Sequence, residues 1–255
     1  EELSNEMCSL KPNVDRLARS VEFVLTDSGR VEQSRFHSTV IRSKHRYAYE
    51  EAMAILDREP QNKTEQMLHH ANRLAQKLRK ARFRSGALNL DVPEHKVFLD
   101  AKGRVSEVRR IENDISHQLI EEFMLLANEA VAKEIKRRRA KAVHRIHEEP
   151  DDEKLENLRV QAALAGLRAG NLADQKQAGR FLASLAGHPL EDVFRIGYLR
   201  CMKRACYSTQ PVGHYGLAKQ DYVHFTSPIR RYADLIVHRV VYQNKKYEVA
   251  AIEES

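Results

Sequence analysis

The segment NDISHQLIEEFMLLANEAVAKEIKRRRAK constrains the fold more than any other part of the chain, because only one kind of element suits it. Its apolar residues recur every three or four positions, the period of an α-helix with one buried face. These positions are Ile115, Leu119, Phe123, Leu126, Ala127 and Ala130. Asn113 or Asp114 precedes them as a helix cap. The sequence therefore predicts one long helix with an apolar face in the core.

Shorter patterns lie on both sides of this helix. Apolar and polar side chains alternate around the turn signal Asp27-Ser28-Gly29, which indicates a β-hairpin, and short strands are predicted around Ala101-Lys102-Gly103. Helical patterns occupy residues 47–59, Lys63–Phe83, Glu153–Leu167, Gln175–Leu185, Leu190–Cys206 and a last segment that begins near residue 228. Because strands and helices do not alternate strictly, no parallel sheet is expected. The predicted fold class is helix-rich α+β with short antiparallel strands, within one domain over residues 1–255.

Composition limits the class of protein. Lys and Arg exceed Asp and Glu by 43 − 36 = 7, and the sequence pI is about 9.3, which is typical of nucleic-acid binding without proving it. The three cysteines Cys8, Cys201 and Cys206 are too few for a disulfide framework, and the last two lie in one predicted helix. The chain shows neither a membrane span nor a signal peptide. We expect a soluble, cytoplasmic protein, or part of one, that is monomeric and has no membrane partner.

The segment HFTSPIRRYADLIVHR, His224 to Arg239, places two adjacent arginines at the expected start of a helix. Ser227 suits the N-cap and Pro228 the first helical position. Cationic side chains are favoured at the opposite end of a helix, where the macrodipole is negative. Arg230 and Arg231 in the first turn therefore indicate a bound anion, for which phosphate is the obvious candidate.

The spacing within this segment suggests how such a site is built. Arg230, Asp234 and His238 are four residues apart and share one face of the predicted helix. Asp234 would fix the side chain of one arginine while the other contacts the ligand. The hydroxyls of Thr226 and Ser227, beside free backbone N–H groups, would add further donors. An ordinary solvated helix with an Arg–Asp pair is the alternative interpretation.

Longer motifs carry a resemblance to a known family. Residues 213–241, GHYGLAKQDYVHFTSPIRRYADLIVHRVV, resemble the signature segment of the ribonuclease II and ribonuclease R exoribonuclease family, the RNB domain. LSNEMCSLKPNVDRLA resembles the stretch that follows the catalytic loop of that family. GALNLDVPE, NDISHQLIEEFMLLANEAVA and HRIHEEPDDEKLENL resemble later segments in the family's order. The likeness therefore spans essentially the whole chain.

This resemblance implies processive hydrolysis of single-stranded RNA from its 3′ end, with release of nucleoside 5′-monophosphates. Two Mg²⁺ ions flank the scissile phosphate at the floor of a narrow channel in this family. The resemblance makes Arg230 the arginine needed for cleavage, Tyr49 a residue that holds the terminal nucleotides, and Glu121 a contact of the terminal ribose. Leu90 stands where some members have an aromatic residue that stacks on the last bases.

The residues themselves leave alternatives open at these positions. Tyr49 precedes a helix, where a tyrosine is more often a packing residue. Glu121 and Glu122 lie in mid-helix, and at least one of them is expected on a plain solvated face. The basic run Lys136–Lys141 could bind backbone phosphates, or it could simply complement the negative C-terminal end of its helix.

The resemblance also indicates what this chain lacks. The aspartate cluster that holds the metal in the family belongs upstream of LSNEMCSL, so no metal ligand is predicted here, and Asp151 with Asp152 is interpreted as the acidic start of a helix. The family's cold-shock and S1 domains have no counterpart either. We expect residues 1–255 to be a partial RNB catalytic domain that does not cleave RNA by itself. The alternative is an RNB-like protein without the aspartates, which binds or regulates RNA without cleaving it.

Overall fold

The computed structural model describes residues 2–89, 94–100, 102–111 and 113–243. A π-helical segment, Glu2–Met7, comes first. The strands are β1 (Asp15–Leu25), β2 (Val31–Arg42), β3 (Glu94–Leu99), β4 (Val105–Ile111), β5 (His144–Ile146) and β6 (Cys206–Ser208). The helices are α1 (Tyr49–Leu56), α2 (Lys63–Arg84), α3 (Ile115–Arg137), α4 (Asp152–Leu164), α5 (Gln175–Ser184), α6 (Glu191–Cys201) and α7 (Tyr232–Gln243). The strands form separate antiparallel pairs, β1–β2, β3–β4 and β5–β6, so the helix-rich α+β prediction is confirmed.

The hairpin of β1 and β2 forms where the alternating pattern predicts it. Gly29 adopts a positive φ of 84° in the turn, a conformation that costs glycine little. The register places Val21 opposite Phe36, and both side chains pack against a core cluster that α3 and α7 share. One face of the hairpin thus rests on the core.

Helix α3 is the central element of the fold, and its start agrees with the prediction. The carboxylate of Asp114 accepts the N–H groups of Ser116 and His117 at 2.9 and 3.2 Å, which caps the helix. Val131 and Ala132 on its inner face are fully buried, and α1, α2 and α7 all pack against it. In the described part of the chain, no helix has the length and apolar character needed to cross a bilayer.

A second core cluster holds α4, α5 and α6 together around Tyr198, whose side chain is fully buried. The Tyr198 hydroxyl donates to the carbonyl oxygen of Leu172 at 3.2 Å and lies 3.0 Å from the hydroxyl of Tyr215. Tyr215 belongs to a short 3-10 turn, Tyr215–Leu217. The loop at residues 213–218 is therefore fixed to this helical cluster.

The predicted helix Leu190–Cys206 is wrong at its C-terminal end. Helix α6 stops at Cys201, and residues Cys206–Ser208 form strand β6, which pairs with His144–Ile146. The two cysteines therefore do not share a helix: Cys201 is buried, whereas Cys206 is exposed. The strand partner lies about sixty residues earlier in the chain, and a local apolar pattern carries no information about so distant a partner.

Candidate functional site

Helix α7 begins at Tyr232, later than the sequence predicts. Before it, residues 228–230 form a turn in which the N–H groups of Arg230 and Arg231 each lie 3.2 Å from the carbonyl oxygen of Ser227. Ser227 is therefore not the N-cap of α7, and the two arginines precede the helix instead of lying in its first turn. Ser227 donates its N–H to the side chain of Asp234, seven residues along the chain, a contact that a local capping preference does not anticipate.

Asp234 organises this segment from a fully buried position. Its Oδ1 accepts the N–H of Ser227 at 2.7 Å and the Nη2 of Arg231 at 3.0 Å. The Nε of Arg231 lies 2.9 Å from Oδ2 of the same carboxylate. A buried carboxylate with both a guanidinium and a backbone donor is a compensated charge that resists rearrangement. Asp234 therefore fixes Arg231 and, through Ser227, the turn before α7.

Arg230, unlike Arg231, does not pair with Asp234. Its side chain is exposed, and no hydrogen bond or ion pair joins it to another residue in the described ranges. The predicted shared face of Arg230, Asp234 and His238 is wrong, because Arg230 lies outside the helix. His238 donates instead from Nε2 to the carbonyl oxygen of Phe225 at 2.8 Å and stacks on the Phe225 ring at 4.4 Å. It holds the chain before the turn and contributes no open group.

Asn128 on α3 forms two hydrogen bonds to the segment before α7. Asn128 donates to the hydroxyl of Tyr222 at 3.0 Å and accepts the N–H of Phe225 at 3.0 Å. Sequence reasoning missed Asn128, although one amide within the apolar pattern of α3 was a visible signal. His117 and Glu121 lie on the same helix face as Asn128, which is seven residues beyond Glu121 and so about 10 Å along the axis. Helix α3 thereby brings several predicted substrate residues to one surface.

Tyr49 lies on this surface as an exposed aromatic ring. The ring stacks on His117 with a centroid distance of 3.8 Å and an interplanar angle of 13°, and 44% of Tyr49 remains exposed. His117 is held in turn by Asp114, with 2.9 Å between Nδ1 and Oδ1. Burial acts to raise the pKa of Asp114, but hydrogen bonds from Ser116 and His117 outweigh it and lower the pKa to about 2. Tyr49 is thus a supported stacking surface and not a core residue.

Glu121 and Glu122 both form ion pairs with α2, so neither is the plain solvated residue that the sequence suggests. Glu122 is 3% exposed and lies 2.5 Å from Nη2 of Arg82. Glu121 keeps 36% of its side chain exposed and lies 3.2 Å from Arg82 and 3.5 Å from Arg79. The guanidinium groups of Arg79 and Arg82 each lie 4.8 Å from the ring centre of Phe83. Glu122 therefore joins α2 to α3, whereas Glu121 is accessible from solvent.

The other predicted contacts have different surroundings. Thr226 lines a cavity of about 1620 Å³ together with Pro228 and the inner face of the β1–β2 hairpin. The Thr226 hydroxyl is buried and has no hydrogen-bond partner among the described residues. Leu90 lies outside the described residues, so its position stays a prediction.

In the basic run Lys136–Lys141, the first three cations form ion pairs within the chain. Lys136 lies 2.8 Å from Asp221, and Arg137 and Arg138 both pair with Glu134. These contacts at the C-terminal end of α3 favour the structural interpretation over phosphate binding.

The described ranges contain no group of three or more His, Cys, Asp or Glu side chains that could hold a metal ion. Asp151 accepts the N–H of Lys154 at 3.1 Å as the N-cap of α4, which agrees with its interpretation as part of a helix start. The described residues therefore do not fit a two-metal centre.

Comparisons with known proteins give one consistent answer. A family model described as RNB domain matches residues 1–246. Ribonuclease R of Aquifex aeolicus (strain VF5) is 38% identical over 250 residues, which cover 94% of this chain and 35% of that protein. The structure of Mycoplasma genitalium RNase R in complex with ribose methylated single-stranded RNA superimposes with a TM-score of 0.89 at 26% identity, covering 100% of this chain and 41% of that one.

A more distant structure shares the fold alone. Yeast Ssd1, a pseudonuclease, matches with a TM-score of 0.76 at 21% identity, over 99% of this chain and 32% of that one. The present chain spans about a third of the length of the curated relatives it matches, 35% and 36% for the first two. Since the family model accounts for nearly all of the sequence and the fold agrees along its whole length, this chain belongs to the RNB domain family.

Proposed function

We propose that this chain is part of an exoribonuclease that degrades single-stranded RNA processively from its 3′ end to nucleoside 5′-monophosphates. The observation that carries the proposal is the pair of arginines before α7. Asp234 neutralises and fixes Arg231, so that Arg230 extends into solvent from a rigid turn. An exposed guanidinium without a carboxylate partner can donate a bidentate pair of hydrogen bonds to a phosphate and stabilise the negative charge that develops there.

The surface of α3 supplies contacts for the rest of the RNA end. Tyr49 offers an exposed ring on which a base can stack. Glu121 would accept hydrogen bonds from the hydroxyls of the terminal ribose, a contact that distinguishes RNA from DNA. The hydroxyl of Ser227 would donate to a phosphate oxygen, and Arg231 would act as a positioning residue beneath it, whereas the hydroxyl of Thr226 is buried. An aromatic ring, a carboxylate and a cation would thus contact base, sugar and phosphate in turn.

The reaction is a hydrolysis of the last phosphodiester bond. The oxygen of a water molecule forms a bond to phosphorus, and the bond between phosphorus and the 3′ oxygen of the preceding nucleotide breaks. The water loses a proton as it attacks, and the departing oxygen takes up a proton and becomes a new 3′ hydroxyl. The released nucleotide carries the phosphate on its 5′ oxygen. Arg230 would donate hydrogen bonds to the non-bridging oxygens, where charge accumulates. The new 3′ end can then enter the same contacts, which is the basis of processive degradation.

The metal ions that this chemistry needs are proposed to lie on other residues. RNB ribonucleases are generally dependent on divalent metals, and we infer Mg²⁺ bound by an aspartate cluster upstream of LSNEMCSL. Because the described residues do not fit such a centre, the residues 1–255 alone are expected to bind an RNA 3′ end without cleaving it.

The test compares cleavage by residues 1–255 with cleavage by the protein extended by the residues encoded upstream of Glu1. The substrate is a 5′-labelled single-stranded oligoribonucleotide, with Mg²⁺ or with EDTA. We expect a ladder that collapses to a short end product only in the extended protein and only with Mg²⁺. Arg230→Ala should abolish the ladder, whereas Arg159→Ala, an exposed arginine that pairs with Glu156 on α4, should leave it intact.

The same assay separates the proposal from the non-catalytic alternative. The fold of this chain is shared with a pseudonuclease, and a fold does not by itself imply catalysis. The alternative is therefore a protein that binds RNA without cleaving it. Tight RNA binding without cleavage by the extended protein in either buffer would identify that alternative and remove the catalytic role of Arg230. Cleavage by residues 1–255 alone would contradict the proposed location of the metal ligands.

A further inference from the structure

A second cavity, of about 590 Å³, lies between the C-terminal ends of α2 and α6, and we call it the α2–α6 cavity. Its apolar wall is formed by Leu88, Leu199, Met202 and Leu217. The volume falls within the roughly 300–1,000 Å³ that is usual for small-molecule sites. None of the described residues 224–234 lines it. The α2–α6 cavity is therefore distinct from the turn that carries Arg230.

The lining of the α2–α6 cavity is strongly basic. Among the described residues that line it, the cations are Arg79, Arg82, Arg200, Lys203 and Arg204, and the one carboxylate is Glu121. The α2 arginines are compensated by Glu121 and Glu122. Lys203 is compensated by Glu148 at 2.7 Å.

Two cations of the α2–α6 cavity are not neutralised by a described carboxylate. Arg200 and Arg204 are exposed, and in the described part of the chain neither has a carboxylate partner. The negative end of the α6 macrodipole accounts for Arg200, which lies in the last turn. It does not account for Arg204, which follows the helix. Two guanidinium groups that line one cavity without counter-charges are suited to a phosphate, to which each can donate a bidentate pair of hydrogen bonds.

Two histidines add a polar but uncharged part of the lining. Burial is the main reason that the pKa of His214 falls to about 3, and burial also lowers the pKa of His147. His147 uses both ring nitrogens, one accepting the N–H of Gly216 at 3.2 Å and one donating to the carbonyl oxygen of Lys203 at 2.8 Å. Nδ1 of His214 is buried and has no partner among the described residues.

We propose that the α2–α6 cavity binds a nucleoside 5′-monophosphate, with the phosphate on Arg200 and Arg204 and the nucleoside against the apolar wall. The inference rests on the proposed function, because this nucleotide is the product of that hydrolysis. Glu121 forms the border, since it lines the cavity and is also the proposed contact of the terminal ribose. A phosphomonoester carries about −1.5 to −2 charges near neutral pH, more than a chain phosphodiester, so two uncompensated arginines suit the released product better than the RNA chain.

The test measures binding of adenosine 5′-monophosphate to the 255-residue chain by titration calorimetry. Arg200→Gln with Arg204→Gln should weaken binding at least tenfold. Arg168→Gln with Arg180→Gln removes the same charge from exposed positions that do not line the cavity, and should leave the affinity within twofold. Leu199→Trp, which fills the cavity and keeps every charge, should also weaken binding tenfold. Adenosine and inorganic phosphate should each bind more weakly than the nucleotide.

Binding of a single-stranded oligoribonucleotide to the same variants separates the two proposals. We expect the Arg200 and Arg204 variant to bind RNA as its charge-matched control does. An equal loss of RNA and nucleotide affinity would overturn the inference, because the cavity would then belong to the RNA path. Absence of nucleotide binding at millimolar concentration, or inorganic phosphate binding as tightly as the nucleotide, would overturn it as well. Nucleotide binding without RNA binding in any variant would instead remove the proposed function and leave a site for free nucleotide.

Discussion

At the residue scale, Asp234 decides the geometry of the predicted phosphate site. A carboxylate in this fully buried position needs donors, and it takes them from the N–H of Ser227 and the guanidinium of Arg231. These bonds hold the turn before α7 and leave Arg230 as an exposed cation. The functional difference between two adjacent arginines thus comes from one acidic side chain.

Removal of Asp234 should lower the free energy of unfolding more than removal of one partner of a solvent-exposed ion pair. Asp234→Ala leaves Arg231, 17% exposed, without a counter-charge, and we expect the free energy of unfolding to fall by about 3–5 kcal/mol. Urea denaturation measures the change. Glu156→Ala is the matched control, because it breaks an i,i+3 pair with Arg159 in solvent, and its effect should be small. Equal losses of unfolding free energy in the two variants would contradict the prediction, because the buried pair would then stabilise the fold no more than the exposed pair.

At the scale of elements, α3 supports both the core and the candidate site. Its inner residues are fully buried, while another face presents His117, Glu121 and Asn128 to α1, α2 and the segment before α7. A single rigid helix therefore sets the distances between residues that are far apart in sequence. Precise placement on a packed element is what a binding site requires.

Adjacent glutamates on α3 should separate stability from binding. Glu122→Ala leaves Arg82 buried without its main partner, so we expect a loss of about 3 kcal/mol or more in the free energy of unfolding. Glu121→Ala should change stability far less, because Glu121 remains partly exposed, but should weaken binding of an RNA 3′ end. Thermal or urea unfolding and fluorescence anisotropy measure the two effects. If Glu121→Ala proved the more destabilising, the division of roles would be wrong.

Because Asp114 caps α3, the free energy of unfolding should decrease at low pH. The pKa of Asp114 is about 2 in the folded chain, below the ordinary value of 3.8, so the ionised carboxylate stabilises the fold above about pH 4. This stabilisation is lost as the pH falls from about 4 towards 2. Asp114→Asn keeps a capping oxygen but cannot ionise. Urea midpoints of the parent and the variant should differ at pH 7 and converge towards pH 2, and parallel pH profiles would contradict the assignment.

At the scale of the whole molecule, the net charge of +7 is only partly available to a ligand. Ion pairs compensate many of the cations, including Arg79, Arg82 and most of the run at the end of α3. Arg230, Arg200 and Arg204 keep their charge at exposed positions. Arginines without a carboxylate partner are therefore present at both candidate binding surfaces.

Binding of single-stranded RNA should depend on salt through the proposed contact between Arg230 and a phosphate. A plot of log Kd against log salt concentration should be linear, and Arg230→Gln should reduce its slope by about 0.7, the contribution of one phosphate contact in a single strand. Arg159→Gln, with its exposed Glu156 partner, serves as the control and should leave the slope unchanged. An unchanged slope in Arg230→Gln would remove Arg230 from the RNA contacts.

Within the candidate site, sequence reasoning identified some residues and missed their partners. Asp234 as the group that fixes one arginine followed from spacing, but the choice of Arg231 over Arg230 did not. Tyr49 was visible, whereas its stacking on His117 was not. The sequence did not predict the role of Asn128 or the burial of Glu122. Helical spacing shows which side chains share a face, but it does not show which face packs against another element.

The sequence by itself determined the types of the longer elements and the family. Apolar periodicity, the cap at Asp114 and the turn at Gly29 act over a few residues, so their signals are complete within a short window. The tertiary structure decided where α7 begins, that Cys206–Ser208 is a strand and which cations remain uncompensated. These features depend on partners distant in sequence, such as β5 for β6 and α3 for the segment before α7. Burial and pairing energies act through space, and only the folded chain brings those partners within reach.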